Sequence, residues 1–148
     1  MVPDNYRGED MAQRIALIAQ SHARLVGRAL VTESPDPVSA LWHAPLAVVA
    51  HGTEPDPLFF FANQAALTVF RAALDELVGL PSRLSAEEPL RGERQALLDR
   101  VARHGFVDDY AGVRVALDGS RFRIRDAVVW NLIDEAGRRH GQAAAFAL

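Results

Sequence analysis

The dipeptide Asp118-Gly119, set between two alternating runs, constrains this chain more than any other feature. Asp-Gly between alternating apolar residues favours the type I′ turn of a two-residue β-hairpin. Such a turn fixes the whole pairing, because a slip of one residue sends every side chain to the opposite face. In that register Leu117 faces Ser120, Val115 faces Phe122, Val113 faces Ile124, Asp109 faces Val128 and Val107 faces Trp130. One side of the hairpin is then apolar, interrupted by Asp109 and Asp126. The other carries Asp108, Tyr110, Arg114, Arg121, Arg123 and Arg125. The expectation has two parts: both acids point into the domain, and the arginine row points out of the sheet.

The rest of the chain supplies elements to pack around that hairpin. From Asp10 to Leu30, Met11, Ile15, Ile18, His22, Leu25 and Ala29 recur at helical spacing and form a narrow stripe suited to lying on a sheet. Thr32 to Asp36 reads as a linker, and Asp36-Pro37 starts a short helix through Trp42. Leu46–His51 and Leu58–Ala62 read as strands separated by a proline-rich turn. Asn63 is placed to cap a helix from Gln64 to about Phe70, and a second helical piece ends near Gly79. Glu88-Pro89 opens a longer helix, with Leu90, Leu97, Leu98 and Val101 inward and Gly105 at its end. Gly141–Leu148 is a last strand of small residues. Two strands, a helical stretch and a three-strand meander give an α+β fold: a five-stranded antiparallel sheet with helices across one face and an extra N-terminal helix, the layout of a PAS domain. The expected division is an N-terminal helix and linker over 1–35 and a PAS-like unit over 36–148.

Several segments match a known family in wording as well as in order. HGTEPDPLFFFAN (His51–Asn63), LPSRLSAE (Leu80–Glu87), GFVDDYAGVRV (Gly105–Val115), RFRIRDAVVWNL (Arg121–Leu132) and GQAAAF (Gly141–Phe146) resemble the MEKHLA domain family. The resemblance implies a PAS-like fold and a sensory or regulatory role. That family includes the C-terminal domain of plant homeodomain-leucine-zipper factors, yet no DNA-binding segment is seen here. Nothing about DNA is carried over, and the family supplies no catalytic residues to transfer.

Composition removes whole classes of chemistry. There is no cysteine, so disulfides, thiolate metal sites, cysteine nucleophiles and cysteinyl-flavin photochemistry are excluded within these 148 residues. All 16 basic residues are arginine, which removes Schiff-base and P-loop lysines. A net charge of −3 argues against a general nucleic-acid binder. No apolar run approaches a membrane span, and the expected location is the cytoplasm. A chain of this length buries about 70% of its unfolded surface, enough for a core.

Asp109 and Asp126 are the sharpest functional signal, since buried carboxylates are costly unless paired. They form a polar floor to a ligand pocket, or they pair with Arg83, Arg91 or Arg94, or a bulge turns one outward. His51, at the end of the first strand, stands where a pocket mouth would be, as a hydrogen-bonding residue before a metal or haem ligand. Asn63 is a helix cap first and a pocket residue second. Trp130 belongs to the core, or lines a cavity from the hairpin. The ligand-pocket candidates are therefore His51, Asn63, Arg83, Asp109, Asp126 and Trp130. Interface candidates are Tyr110, Arg114, Arg121, Arg123 and Arg125, whose crowded charges call for an acidic counterpart.

The preferred reading is a non-enzymatic sensor that binds an unknown small molecule between sheet and helices. It self-associates through the outer sheet face or the N-terminal helix, and has no nucleic-acid or membrane partner. The sequence requires no cofactor and no metal. The alternative is a small ketosteroid-isomerase-like α+β enzyme with Asp109 or Asp126 as general base; a third reading is a structural dimerisation domain with a filled core.

Overall fold

The computed structural model describes residues 1–86 and 91–148. The expected helix start at Glu88-Pro89, and the inward Leu90, lie outside those residues. Among these residues five α-helices and five strands run in the order α1 (Glu9–Val26), α2 (Pro37–Trp42), β1 (Ala47–His51), β2 (Phe59–Ala62), α3 (Gln64–Phe70), α4 (Leu74–Leu77), α5 (Arg91–His104), β3 (Phe106–Val115), β4 (Arg121–Ile133) and β5 (Arg139–Phe146). The strands form one antiparallel sheet in the order β2-β1-β5-β4-β3.

Local chemistry accounts for the boundaries. The Asp36 carboxylate accepts from Ser39 N at 3.2 Å ahead of Pro37, and Asn63 Oδ1 accepts from Ala66 N at 3.0 Å, so both short helices begin on a side-chain cap. α1 ends at Gly27, before the expected Leu30, and Ala29 falls outside it.

The sheet carries helices on both faces. Against one face lie α3, α4 and α5, with Phe59, Ala66, Phe70, Leu77, Ile124, Ala127 and Phe146 in one cluster and Leu97, Val101, Val107 and Val129 in another. Against the other lie α1 and α2, where Ile15, Leu17, Ile18 and Leu41 meet Val48, Phe61, Val128, Trp130 and Leu132. α1 is also tied to β4 by polar contacts. Ser21 Oγ donates to Asn131 O (2.6 Å) and accepts from Ile133 N (3.1 Å), and Trp130 Nε1 donates to Ile18 O (3.1 Å). The outer face expected to serve self-association is therefore covered over much of its area, while Arg123 and Arg125 farther along β4 stay exposed.

The hairpin departs from the expected register. Its turn is a three-residue loop, in which Ala116 N donates to Ser120 O at 2.8 Å and Gly119 N to Ala116 O at 3.0 Å. Gly119 takes φ +86°, the left-handed position that such loops need after a type I turn. Asp118 Oδ1 accepts from Ser120 N (2.9 Å) and Ser120 Oγ (2.6 Å), which holds the turn in this form. Val115 consequently pairs with Arg121, Arg114 with Phe122 and Gly112 with Ile124.

Two opposed bulges then reshape the strands. One adds a residue on β3 between Val107 and Tyr110, and the other adds a residue on β4 between Ile124 and Ala127. Asp126 sits at the second with φ +51°. β4 thereby changes faces part-way: Phe122 and Ile124 share the α3–α5 face with Val129, while Trp130 turns toward α1. Asp109 and Asp126 are both exposed, which corrects the expectation that they point together into the domain.

Candidate functional site

Between the sheet and α3 and α5 lies a cavity of about 60 Å³, lined by His51, Phe59, Phe70, Arg94, Tyr110, Arg114, Ile124 and Gln142 among others. Its walls are mostly aliphatic and aromatic, so the polar groups that reach it are conspicuous.

His51 closes β1, at the point where the β1–β2 register shifts. It is 7% exposed. Its Nδ1 lies 3.0 Å from Gly52 O, a group that can only accept, so Nδ1 carries the proton. Nε2 is then a bare acceptor, and it is buried without a hydrogen-bond partner among the described residues. Burial, with Arg94 and Arg139 nearby, lowers the pKa of His51 to about 4, so the ring is neutral at pH 7.

Arg94 comes from the inward stripe of α5, beside Leu97 and Val101, and is itself 7% exposed. Its guanidinium donates to Ser82 Oγ at 2.5 Å. Burial first, then the neighbouring charge of Arg114, lowers its pKa to about 10, which leaves it protonated at pH 7. Among the described residues no carboxylate stands in ion-pair distance of Arg94 or Arg114. Arg114 is half-buried, its Nη1 donating to Val113 O at 3.1 Å and its guanidinium 5.2 Å from the Tyr110 ring centre. Gly112 makes room for that ring, since a Cβ there would come within 2.5 Å of the Tyr110 hydroxyl.

Across the sheet floor, His51 pairs with Gln142 and Gln142 with Asn131. Gln142 Nε2 donates to Leu98 O and to Asn131 Oδ1, both at 3.1 Å, and Asn131 Nδ2 donates to Val101 O at 3.0 Å. This row fastens α5 to the sheet and so positions Arg94 over the cavity.

The structure separates the residues singled out from sequence. His51 lines the cavity, and so do Tyr110 and Arg114, which the expected register had placed on the outer face. Asn63 is fully buried but all its contacts go to backbone groups around α3. Arg83 is on the surface, paired with Asp56 at 3.1 Å. Trp130 faces α1. Arg121, Arg123 and Arg125 are exposed. Sequence reasoning offers Arg94 only as an ion-pair partner for the acids, and it does not single out Gln142. The available signal was a charge on the apolar stripe of α5 and one long polar side chain in a strand of small residues. No three metal-ligating side chains come together among the described residues, and no helix of theirs is long and apolar enough to cross a membrane.

The His51 pKa has a consequence for stability. Its folded value of about 4 lies below the ordinary 6.5, so the unfolded chain binds the proton more readily. Stability from this group is complete above pH 6.5 and is lost as pH falls toward 4, by up to about 3 kcal/mol. Urea unfolding of the protein and of His51→Gln, compared at pH 7 and 4.5, is expected to show a smaller acid loss in the variant. Equal losses would place the titration elsewhere.

The MEKHLA domain family model matches residues 12–148. The chain belongs to the MEKHLA domain family. The match takes in most of α1 as well as the sheet. Solved structures similar to this MEKHLA domain include PAS and light-oxygen-voltage domains. The PAS domain of a protein from Colwellia psychrerythraea is 14% identical with a TM-score of 0.63, over 73% of this chain and 89% of that one. A variant of Vivid, a blue-light photoreceptor, is 18% identical at 0.59, over 88% of this chain and 98% of the other. The PAS domain of a LuxR-family transcriptional regulator from Burkholderia thailandensis, solved in complex with ethanol, is 18% identical at 0.57, over 72% and 92%. At such identities the likeness is one of fold: the MEKHLA domain is PAS-like. No curated protein matches it in sequence.

A flavin analogue belongs to one light-oxygen-voltage neighbour, which raises that cofactor for this fold. It does not fit here. The cavity of about 60 Å³ is far below the ~300 Å³ at which pockets begin to enclose drug-sized ligands. Nor does the sequence contain a cysteine to form a flavin adduct.

Proposed function

We propose that this MEKHLA domain is a non-enzymatic sensory module whose sheet–helix cavity binds a small molecule. The carrying observation is the pairing, in one cavity, of a buried guanidinium that has no described acidic partner with a buried acceptor that has none. Folded proteins rarely leave such groups unanswered, because each costs free energy until something pairs with it. The PAS-like fold supports the reading, and so does the regulator's PAS domain that holds ethanol. The isomerase-like alternative needs a carboxylate in the cavity. Asp109 and Asp126 are exposed and neither lines it.

A thermal-unfolding screen of small metabolites tests the proposal. A true ligand at a hundredfold excess over its Kd is expected to raise the midpoint by about 5–10 °C. A broad screen in which no compound raises it would leave the cavity a packing defect.

A further inference from the structure

Taking the cavity as a ligand site, as proposed above, we infer that it takes a short 2-hydroxycarboxylic acid. The carboxylate sits on Arg94 and Arg114, and the adjacent hydroxyl donates to His51 Nε2. Arg94 supplies the charge. It is 7% exposed, makes one side-chain hydrogen bond among the described residues, to Ser82 Oγ, and has further N–H donors in its planar fork. Arg114, a second guanidinium lining the same cavity, repels it. Two cations held together at a partly dry site call for an anion between them, and the fork geometry of guanidinium suits a carboxylate.

His51 narrows the class. Its protonated nitrogen is spent on Gly52 O, and the bare Nε2 is as buried as Arg94. A bare nitrogen lone pair disfavours a carboxylate oxygen and accepts an O–H. The ligand therefore carries a neutral donor beside its anionic group, and a hydroxyl next to a carboxylate is the smallest such arrangement.

Size sets the length. An apolar cavity of ~150 Å³ admits benzene, so about 60 Å³ suits two or three carbons and excludes a ring. Phe59, Phe70 and Ile124 give the carbon end an apolar wall, and half-exposed Arg114 forms the yielding side.

Titration calorimetry on the whole chain, with glycolate, lactate, acetate, propionate, ethylene glycol and phosphate as probes, tests the assignment. Glycolate or lactate is expected to bind with a Kd on the order of 1 mM, at least tenfold tighter than acetate or propionate, with no measurable heat from ethylene glycol. Arg94→Met is expected to weaken both hydroxy acids at least tenfold without lowering the unfolding midpoint, since it removes a buried charge that no described acid pairs. Should that variant fail to fold, Arg114→Met on the half-exposed side is read in the same way. His51→Phe is expected to abolish the preference for the hydroxy acid over acetate. Phosphate binding tighter than glycolate overturns the assignment, as does ethylene glycol binding equally well and insensitive to Arg94→Met. So does silence from every acid while the metabolite screen gives a hit; in these three cases the sensor reading survives. Silence in both experiments overturns both.

Discussion

Replacing Asn63 with alanine is expected to cost about 4 kcal/mol of folding stability, a large part of the ~5–15 kcal/mol that holds a domain of this kind together. The side chain is 0% exposed and satisfies four backbone groups. Its Oδ1 accepts from Val48 N and Ala66 N, both at 3.0 Å, and its Nδ2 donates to Leu41 O at 3.0 Å and Leu46 O at 2.8 Å. One residue thus joins the end of α2, the start of β1 and the first turn of α3. The cap alone is worth about 1 kcal/mol. The remaining three groups become buried and unpaired, at roughly 1–3 kcal/mol each less whatever water recovers. Urea unfolding measures the loss. Asn63→Asp is the control: it keeps the acceptor and places a carboxylate oxygen against two carbonyls. A loss below about 1.5 kcal/mol for the alanine variant would mean that water enters and serves those groups.

Asn63 also shows which parts of the structure the sequence makes legible. Asn63 before Gln64 and Asp36 before Pro37 announce helix starts through chemistry contained in a few neighbouring residues, and both helices begin where expected. The antiparallel sheet of five strands is legible too, because short turns join β1 to β2, β3 to β4 and β4 to β5. The register of the central hairpin is not. Asp-Gly suits a two-residue loop and equally the last two positions of a three-residue loop, and the choice falls to hydrogen bonds between Asp118 and Ser120. The bulges leave no mark in composition, since Asp126 adopts φ +51° without being glycine. Those two features decide which side chains reach the cavity. They carry Tyr110 and Arg114 inward, leave Asp109 and Asp126 outside, and turn Trp130 toward α1. Element type was therefore readable from local chemistry, while the site depended on the parity of two strands.

Gly141→Ala is expected to be at least as damaging as the loss of Asn63, for a steric reason. Gly141 takes φ +137° at the start of β5, where the strand passes β1. A Cβ built there would lie 2.0 Å from the carbonyl oxygen of His51 and 3.1 Å from Cα of Gly52. Both are backbone atoms, so no side chain can swing aside; the two strands must separate or the turn must rebuild. Backbone strain of ~1–3 kcal/mol adds to the displaced pairing, for a total of about 4 kcal/mol or more. Gly137→Ala separates these contributions. That glycine also has positive φ, at +82°, but nothing lies within 4 Å of its would-be Cβ. The Gly137 variant is expected to lose only about 1 kcal/mol, from conformation alone. Equal losses in chemical unfolding would mean that β1 and β5 do not approach this closely. A larger loss at Gly141 should be accompanied by a weaker acid dependence, because moving the His51 carbonyl also loosens the ring that closes the cavity.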